Sequence, residues 1–88
     1  MKLKYEFVVR DVAGQVVALP AGKDSAQFNG MIKLNSVGEF IFKKLANETT
    51  LDEILADVAK EYDATLDEVK PSVESFIETL RTNELIEE

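Results

Sequence analysis

The apolar positions of this chain change period once. Across residues 5–10 the period is two: Tyr5, Phe7 and Val9 alternate with Glu6, Val8 and Arg10, as in a half-buried strand. Ala13, Gly14 and Gln15 supply a turn, and residues 16–19 read as the returning strand of a hairpin. Pro20 and Gly22 break the pattern and open a loop. Asn29-Gly30 is a turn signal, and residues 31–34 form a short third strand, with Met31 and Lys33 set against Ile32 and Leu34.

Past Leu34 the period becomes helical. The spacing predicts a first helix over residues 36–46, with Val37, Ile41, Phe42 and Leu45 on one side at about 100° per residue. Phe40 falls on the opposite side and is not explained by the stripe. Thr50 and Glu53 have the spacing of a capping box that opens a second helix, whose stripe is Leu51, Ile54, Leu55, Val58 and Tyr62. Thr65 and Glu68 repeat the box before a third helix, striped by Leu66, Val69, Val73, Phe76, Ile77 and Leu80. Pro71 is placed to bend the start of that helix, and Leu85 and Ile86 are expected to tuck against the core. No internal repeat is visible. The order is a β-sheet half over residues 1–34 and a helical half over 35–88, expected to form one domain across 1–88.

Composition narrows the functions open to such a chain. Its 88 residues are 45% hydrophobic, which suits a small globular domain. Cysteine, histidine and tryptophan are all absent. That removes thiol chemistry, the usual general base and the commonest metal ligand. Carboxylate pairs such as Asp52 with Glu53 stand in first helical turns, where they favour the helix dipole. They are accompanied by no nucleophile, metal set or glycine-rich phosphate loop. No catalytic residue, metal or cofactor is expected. No apolar run approaches the roughly 20 residues that span a bilayer, and the first residues lack the pattern of a secretory signal. The expected location is cytoplasmic, with no membrane partner.

Charge is uneven along the chain. Residues 1–34 carry five basic and three acidic residues, and residues 35–88 carry five basic and fourteen acidic ones, which gives the overall −7. The acidic half repels phosphate backbones and leaves the N-terminal half to an acidic partner.

A serine at the head of an apolar helix in a short acidic chain also suggests an acyl or peptidyl carrier protein, with Ser36 as the attachment site. Two features oppose this. A β-type half precedes Ser36, and the residue before it is Asn35 rather than the aspartate of the carrier motif. Asn35 or Ser36 reads instead as a helix N-cap, with Glu39 at capping distance.

Taken in order, these residues resemble the PqqD-like family of peptide chaperones, also called RiPP recognition elements. The resemblance rests on residues 16–20 with Gly22, on residues 28–35, and on Gly38, Ile41, Phe42 and Leu45. It continues through Ile54 and Tyr62 to Val73, Phe76, Leu80, Leu85 and Ile86. Phe42 stands where the family often has tryptophan. The resemblance implies an α+β, winged helix-turn-helix fold: a three-stranded antiparallel sheet followed by a three-helix bundle. It implies no catalytic motif. It implies that the leader peptide of a ribosomally made precursor adds as a strand to the third strand. The peptide's side chains would enter a groove beside the third helix, and the domain would present it to a modifying enzyme, often a radical SAM maturase.

The residues accommodate that mechanism. Residues 31–34 contain no proline and one charge, Lys33, so this edge strand is weakly defended against pairing. The expected peptide contacts are Met31, Ile32, Lys33 and Leu34 on the strand. On the helix they are the Ile77 flank: Lys70, Val73, Glu74, Ile77 and Arg81. In this reading Ile77 marks the margin of the apolar stripe and Phe76 lies toward the core, while Lys33, Lys70 and Arg81 serve an acidic leader segment. Phe40 is a candidate contact for the partner enzyme. Either a monomer or a weak dimer formed by strand exchange suits such an edge.

The main rival is a winged-helix DNA-binding regulator, since the helical order is compatible. Phosphate neutralisation would require a basic recognition helix. In the third helix Asp67, Glu68, Glu74 and Glu78 outnumber Lys70 and Arg81, so no nucleic-acid partner is expected.

Overall fold

A computed structural model of the chain describes residues 1–22 and 31–88. Phe28 and the Asn29-Gly30 turn signal lie outside the described residues. The elements are β1 (Lys2–Leu3), β2 (Phe7–Val12), β3 (Gln15–Pro20), β4 (Ile32–Leu34), α1 (Ser36–Lys44), α2 (Leu51–Glu61), α3 (Leu66–Thr82) and β5 (Ile86–Glu87). Strands β2, β3 and β4 form an antiparallel sheet in that order, and three helices follow. This is the α+β architecture expected from the change of period. The third strand of the sequence reading is β4.

Each boundary has a local cause. Ala13 and Gly14, at φ of 54° and 85°, form the two-residue connection between β2 and β3. Positive φ at both positions gives the turn twist that matches a hairpin, and the Gly14 N–H donates to Asp11 Oδ1 at 2.9 Å. Thr50 caps α2 through the Glu53 N–H, but the Glu53 carboxylate takes the Thr49 hydroxyl at 3.0 Å instead of closing the box. The box at α3 is complete: Thr65 and Glu68 each accept from the other's backbone N–H. Pro71 lies inside α3, which continues to Thr82.

Helices α2 and α3 end alike. Asp63 and Glu84, at φ of 50° and 57°, occupy the left-handed position that usually takes glycine. Beyond them the Ala64 N–H donates to the Ala59 carbonyl and the Leu85 N–H to the Leu80 carbonyl, each at 2.9 Å. These are the long bonds of Schellman motifs. The second sends Leu85 and Ile86 back onto the core, where they keep 2% and 9% of their exposure.

That return creates a pairing the alternation did not predict. β5 pairs antiparallel with β1 through Lys2–Glu87 and Leu3–Ile86. The Leu3 N–H also donates to the Leu45 carbonyl at 2.9 Å, and the Lys4 N–H to the Leu85 carbonyl at 2.8 Å. The first residues therefore belong to a separate two-stranded ladder rather than to a longer first strand.

The core lies between the helices and one face of the sheet. Ala18 and Leu34 from the sheet join Ile41, Phe42, Ile54 and Val73 from the helices. Phe7 meets Phe42 edge to face at 5.2 Å between ring centroids, a geometry worth about 0.5–1.5 kcal/mol beyond burial. None of the described helices is long and apolar enough to cross a membrane.

Candidate functional site

Strand β4 has one edge against β3 and the other open among the described residues. The hairpin fixes which of its groups face which way. In a two-residue connection the flanking residues, here Val12 and Gln15, exchange both hydrogen bonds. Alternation then turns the N–H and C=O of Val16 and Ala18 toward β4, where they meet Leu34 and Ile32. The Ala21 N–H, donating to the Glu6 carbonyl at 3.0 Å, follows the same parity. The backbone of Lys33, and of Met31 before it, therefore points to the open edge. Side chains divide the other way. Ile32 and Leu34 pack inward, whereas Met31, 58% exposed, and Lys33 stand on the far face of the sheet.

Beside the exit of β4 lies a shallow cavity of about 300 Å³. It is lined by Asn35, Val37 and Gly38 at the start of α1 and by Ser72, Ser75, Phe76 and Thr79 on α3. Gly38 lets α3 come close to α1 at its wall. A Cβ at that position would sit 3.0 Å from Phe76 Cε1 and 3.2 Å from Asn35 Oδ1, so the half-buried Phe76 ring lies directly against the α1 backbone. Val37 and Phe76 give the cavity apolar walls, and the amide and hydroxyls give it a polar rim. No charged side chain lines it.

The expected face of α3 is corrected by this geometry. Ile77 keeps 2% of its exposure and Val73 none; both belong to the core. The half-buried residue is Phe76, and the open flank is the one with Ser72 and Thr79. The physical reason is that α2 packs against α3, with Leu51 beside Ile77, while α1 approaches Phe76 through a glycine. A depression of about 440 Å³ does exist on the Ile77 flank, lined by Leu51, Glu74, Ser75, Ile77, Glu78 and Arg81. Arg81 is already committed there. It meets Glu78 at 2.6 Å and holds Glu88 through two bonds of 2.9 Å. These carboxylates push its pKa up further, and Arg81 in turn holds the Glu88 carboxyl below the usual range. Lys70 and Glu74 are exposed on α3. Ile32, Lys33 and Leu34 form the edge strand with Met31 just before it, and none of the four lines the Ile77 depression.

The opening of α1 is also settled. Asn35 is the N-cap, accepting the Gly38 N–H at 2.7 Å, and Glu39 pairs with Lys43 at 2.9 Å rather than capping. The Ser36 hydroxyl accepts from the Tyr62 hydroxyl at 3.3 Å. Asn35→Ala should therefore cost about 1 kcal/mol, within a range of roughly 0.5–2, and Ser36→Ala far less. Denaturant unfolding of the two variants checks this.

Phe40 is half-buried. Its ring meets Tyr62 edge to face at 6.4 Å, and Lys44 Nζ lies 5.2 Å from its centroid.

A family model described as Coenzyme PQQ synthesis protein D (PqqD) matches residues 8–86. This chain belongs to the PqqD family. No curated protein matches it. Among solved structures it is similar to that of TbiB1 in complex with the TbiA(beta) leader peptide. The TM-score is 0.74 and the identity 25%, over 99% of this chain and 95% of the other. The PqqD-family match begins within β2 and ends in β5, so it takes in both the open edge of β4 and the cavity beside α3.

Proposed function

We propose that this PqqD-family domain is a non-catalytic recognition element for the leader peptide of a ribosomally made precursor. The leader adds antiparallel to β4, its backbone pairing with the outward N–H and C=O of Lys33. Alternate leader side chains enter the cavity formed by Asn35, Gly38 and Phe76. The carrying observation is the likeness to TbiB1, whose structure contains a leader peptide, together with an open β4 edge next to that cavity. The domain then presents the leader to a modifying enzyme, for which the family resemblance supplies the radical SAM class. The cavity is uncharged, so the leader anchors through apolar and hydrogen-bonding side chains rather than through an acidic run.

The test is a backbone-amide titration with the precursor's leader. The Met31 and Lys33 amides should move most, and those of Ile32 and Leu34, already bonded to β3, should move less. Largest shifts on α2 would defeat strand addition. In the same titration Phe76→Ala should weaken binding at least tenfold, about 1.4 kcal/mol. Binding that survives Phe76→Ala unchanged would place the groove elsewhere.

A further inference from the structure

One row across the sheet runs from Arg10 on β2 through Val17 on β3 to Lys33 on β4. Residues directly opposite in neighbouring strands turn their side chains to the same face. That face is turned away from the helices, since Ile32 and Leu34, on either side of Lys33, pack on the core. Lys33 ends the row at the open edge, and it is exposed. Its cross-strand neighbour Val17 offers no countercharge, and Lys33 forms no ion pair among the described residues. The Glu6 carboxylate belongs to the same face, in step with Val8 and Arg10. It stands at the other edge of the sheet, two strand spacings of about 4.8 Å from β4, and level with Ala21 rather than with Val17.

Strand addition carries the row one position further. In an antiparallel ladder, Lys33 exchanges both backbone bonds with the leader residue directly opposite, with the two Cα atoms about 5.5 Å apart. The side chain of that residue falls on the outer face beside Lys33. Opposite charges at such a pair stabilise it, and like charges oppose it. An antiparallel leader runs from Asn35 toward Met31. The leader residue just before the one opposite Lys33 therefore faces the helices at the exit of β4, where Asn35, Gly38 and Phe76 line the cavity.

We infer that Lys33 selects a carboxylate: the leader carries an aspartate or glutamate opposite Lys33, directly after the uncharged residue that fills the cavity. This rests on the leader-binding reading above and adds to it the order of two adjacent leader residues. One carboxylate on the outer face suffices. The cavity takes none, because no charged side chain lines it. The order follows from the strand direction, and a parallel leader would reverse it.

The experiment titrates the full chain with the precursor's leader, and with leader variants in which each acidic residue in turn becomes lysine. The domain is used as parent, Lys33→Glu and Lys33→Gln, and thermal unfolding checks that each is folded. At low salt Lys33→Glu should weaken the parent leader about three- to tenfold and Lys33→Gln about 1.5- to fivefold. Both losses should shrink at high salt. One leader variant should lose as much against the parent domain and return to within twofold of the parent pair against Lys33→Glu. The residue it changes should directly follow the uncharged residue whose alanine substitution costs the most affinity. If Lys33→Glu binds the parent leader unchanged, or rescues no leader variant, the pairing is overturned while leader binding stands. Rescue anywhere but directly after that uncharged residue overturns the order. A parent chain that binds no leader refutes the recognition reading and this inference with it. If Lys33→Glu unfolds, Lys33→Gln decides: affinity equal to the parent's at low salt overturns the pairing.

Discussion

Ile77→Ala should lower the unfolding free energy by about 2–5 kcal/mol, the range for removing a buried isoleucine down to alanine. Ile77 retains 2% of its exposure and sits in the line of Val69, Val73 and Leu80 on α3. Scaling at roughly 0.05–0.15 kcal/mol per residue gives a chain of this length about 4–13 kcal/mol in total. The lower end of that range is close to the cost of this one substitution, so the variant should melt far earlier and populate unfolded chain at room temperature. Any loss of leader binding would then track the folded fraction, and adding excess leader should restore folding by mass action. Denaturant titration of parent and variant reads the difference directly. A loss below about 1 kcal/mol would mean that Ile77 sits at the margin of the helix and that the burial described here is wrong.

Phe76 is the informative neighbour. One position away, it is half-buried, it borders the cavity, and its ring is held by the bare backbone of Gly38. Its replacement acts on the groove first. The contrast between adjacent residues separates the two faces of α3 without any structural knowledge of the peptide.

Why the sequence shows one thing and hides another follows from the range of the forces involved. The hairpin, β4 and the three helices are legible because each is set by local periodicity and by caps within a few residues of the boundary: Ala13-Gly14, Asn35, Thr50 and Thr65. The exposed edge of β4 is legible too, since it follows from a short strand without proline. The rotation of α3 is not. Val69, Val73, Phe76, Ile77 and Leu80 form a stripe with two margins, and choosing the outer one requires knowing where α2 and α1 pack. Gly38 was the available signal. A glycine on the inward side of a helix, where it weakens the helix by up to about 1 kcal/mol, marks a close approach, and the residue approaching it is Phe76. The β1–β5 pairing was hidden for a similar reason: it joins residues near opposite ends of the chain, and it depends on the left-handed Glu84 that turns the chain back. Of the two partners of Arg81, Glu78 stands at the usual helix spacing, whereas Glu88 lies seven residues on, past the end of α3, where helical spacing gives no sign of it.

Whether a leader peptide pairs with the open edge of β4 is decided by Lys33→Pro. The Lys33 N–H faces the open edge, so proline there removes no bond of the β3–β4 ladder. Proline is tolerated on an edge strand in that orientation, and the preceding Ile32 is already in the extended conformation that proline demands. At the same time the variant deletes an outward donor and places a ring where the leader backbone would lie. Lys33→Thr controls for the lost charge. The measurement is the dissociation constant of the leader from parent, Lys33→Thr and Lys33→Pro, with unfolding curves for each. All three should fold, Lys33→Thr should bind within a few-fold of the parent, and Lys33→Pro should lose at least tenfold in affinity, about 1.4 kcal/mol. A folded Lys33→Pro domain that binds the leader as tightly as the parent would contradict strand addition at β4.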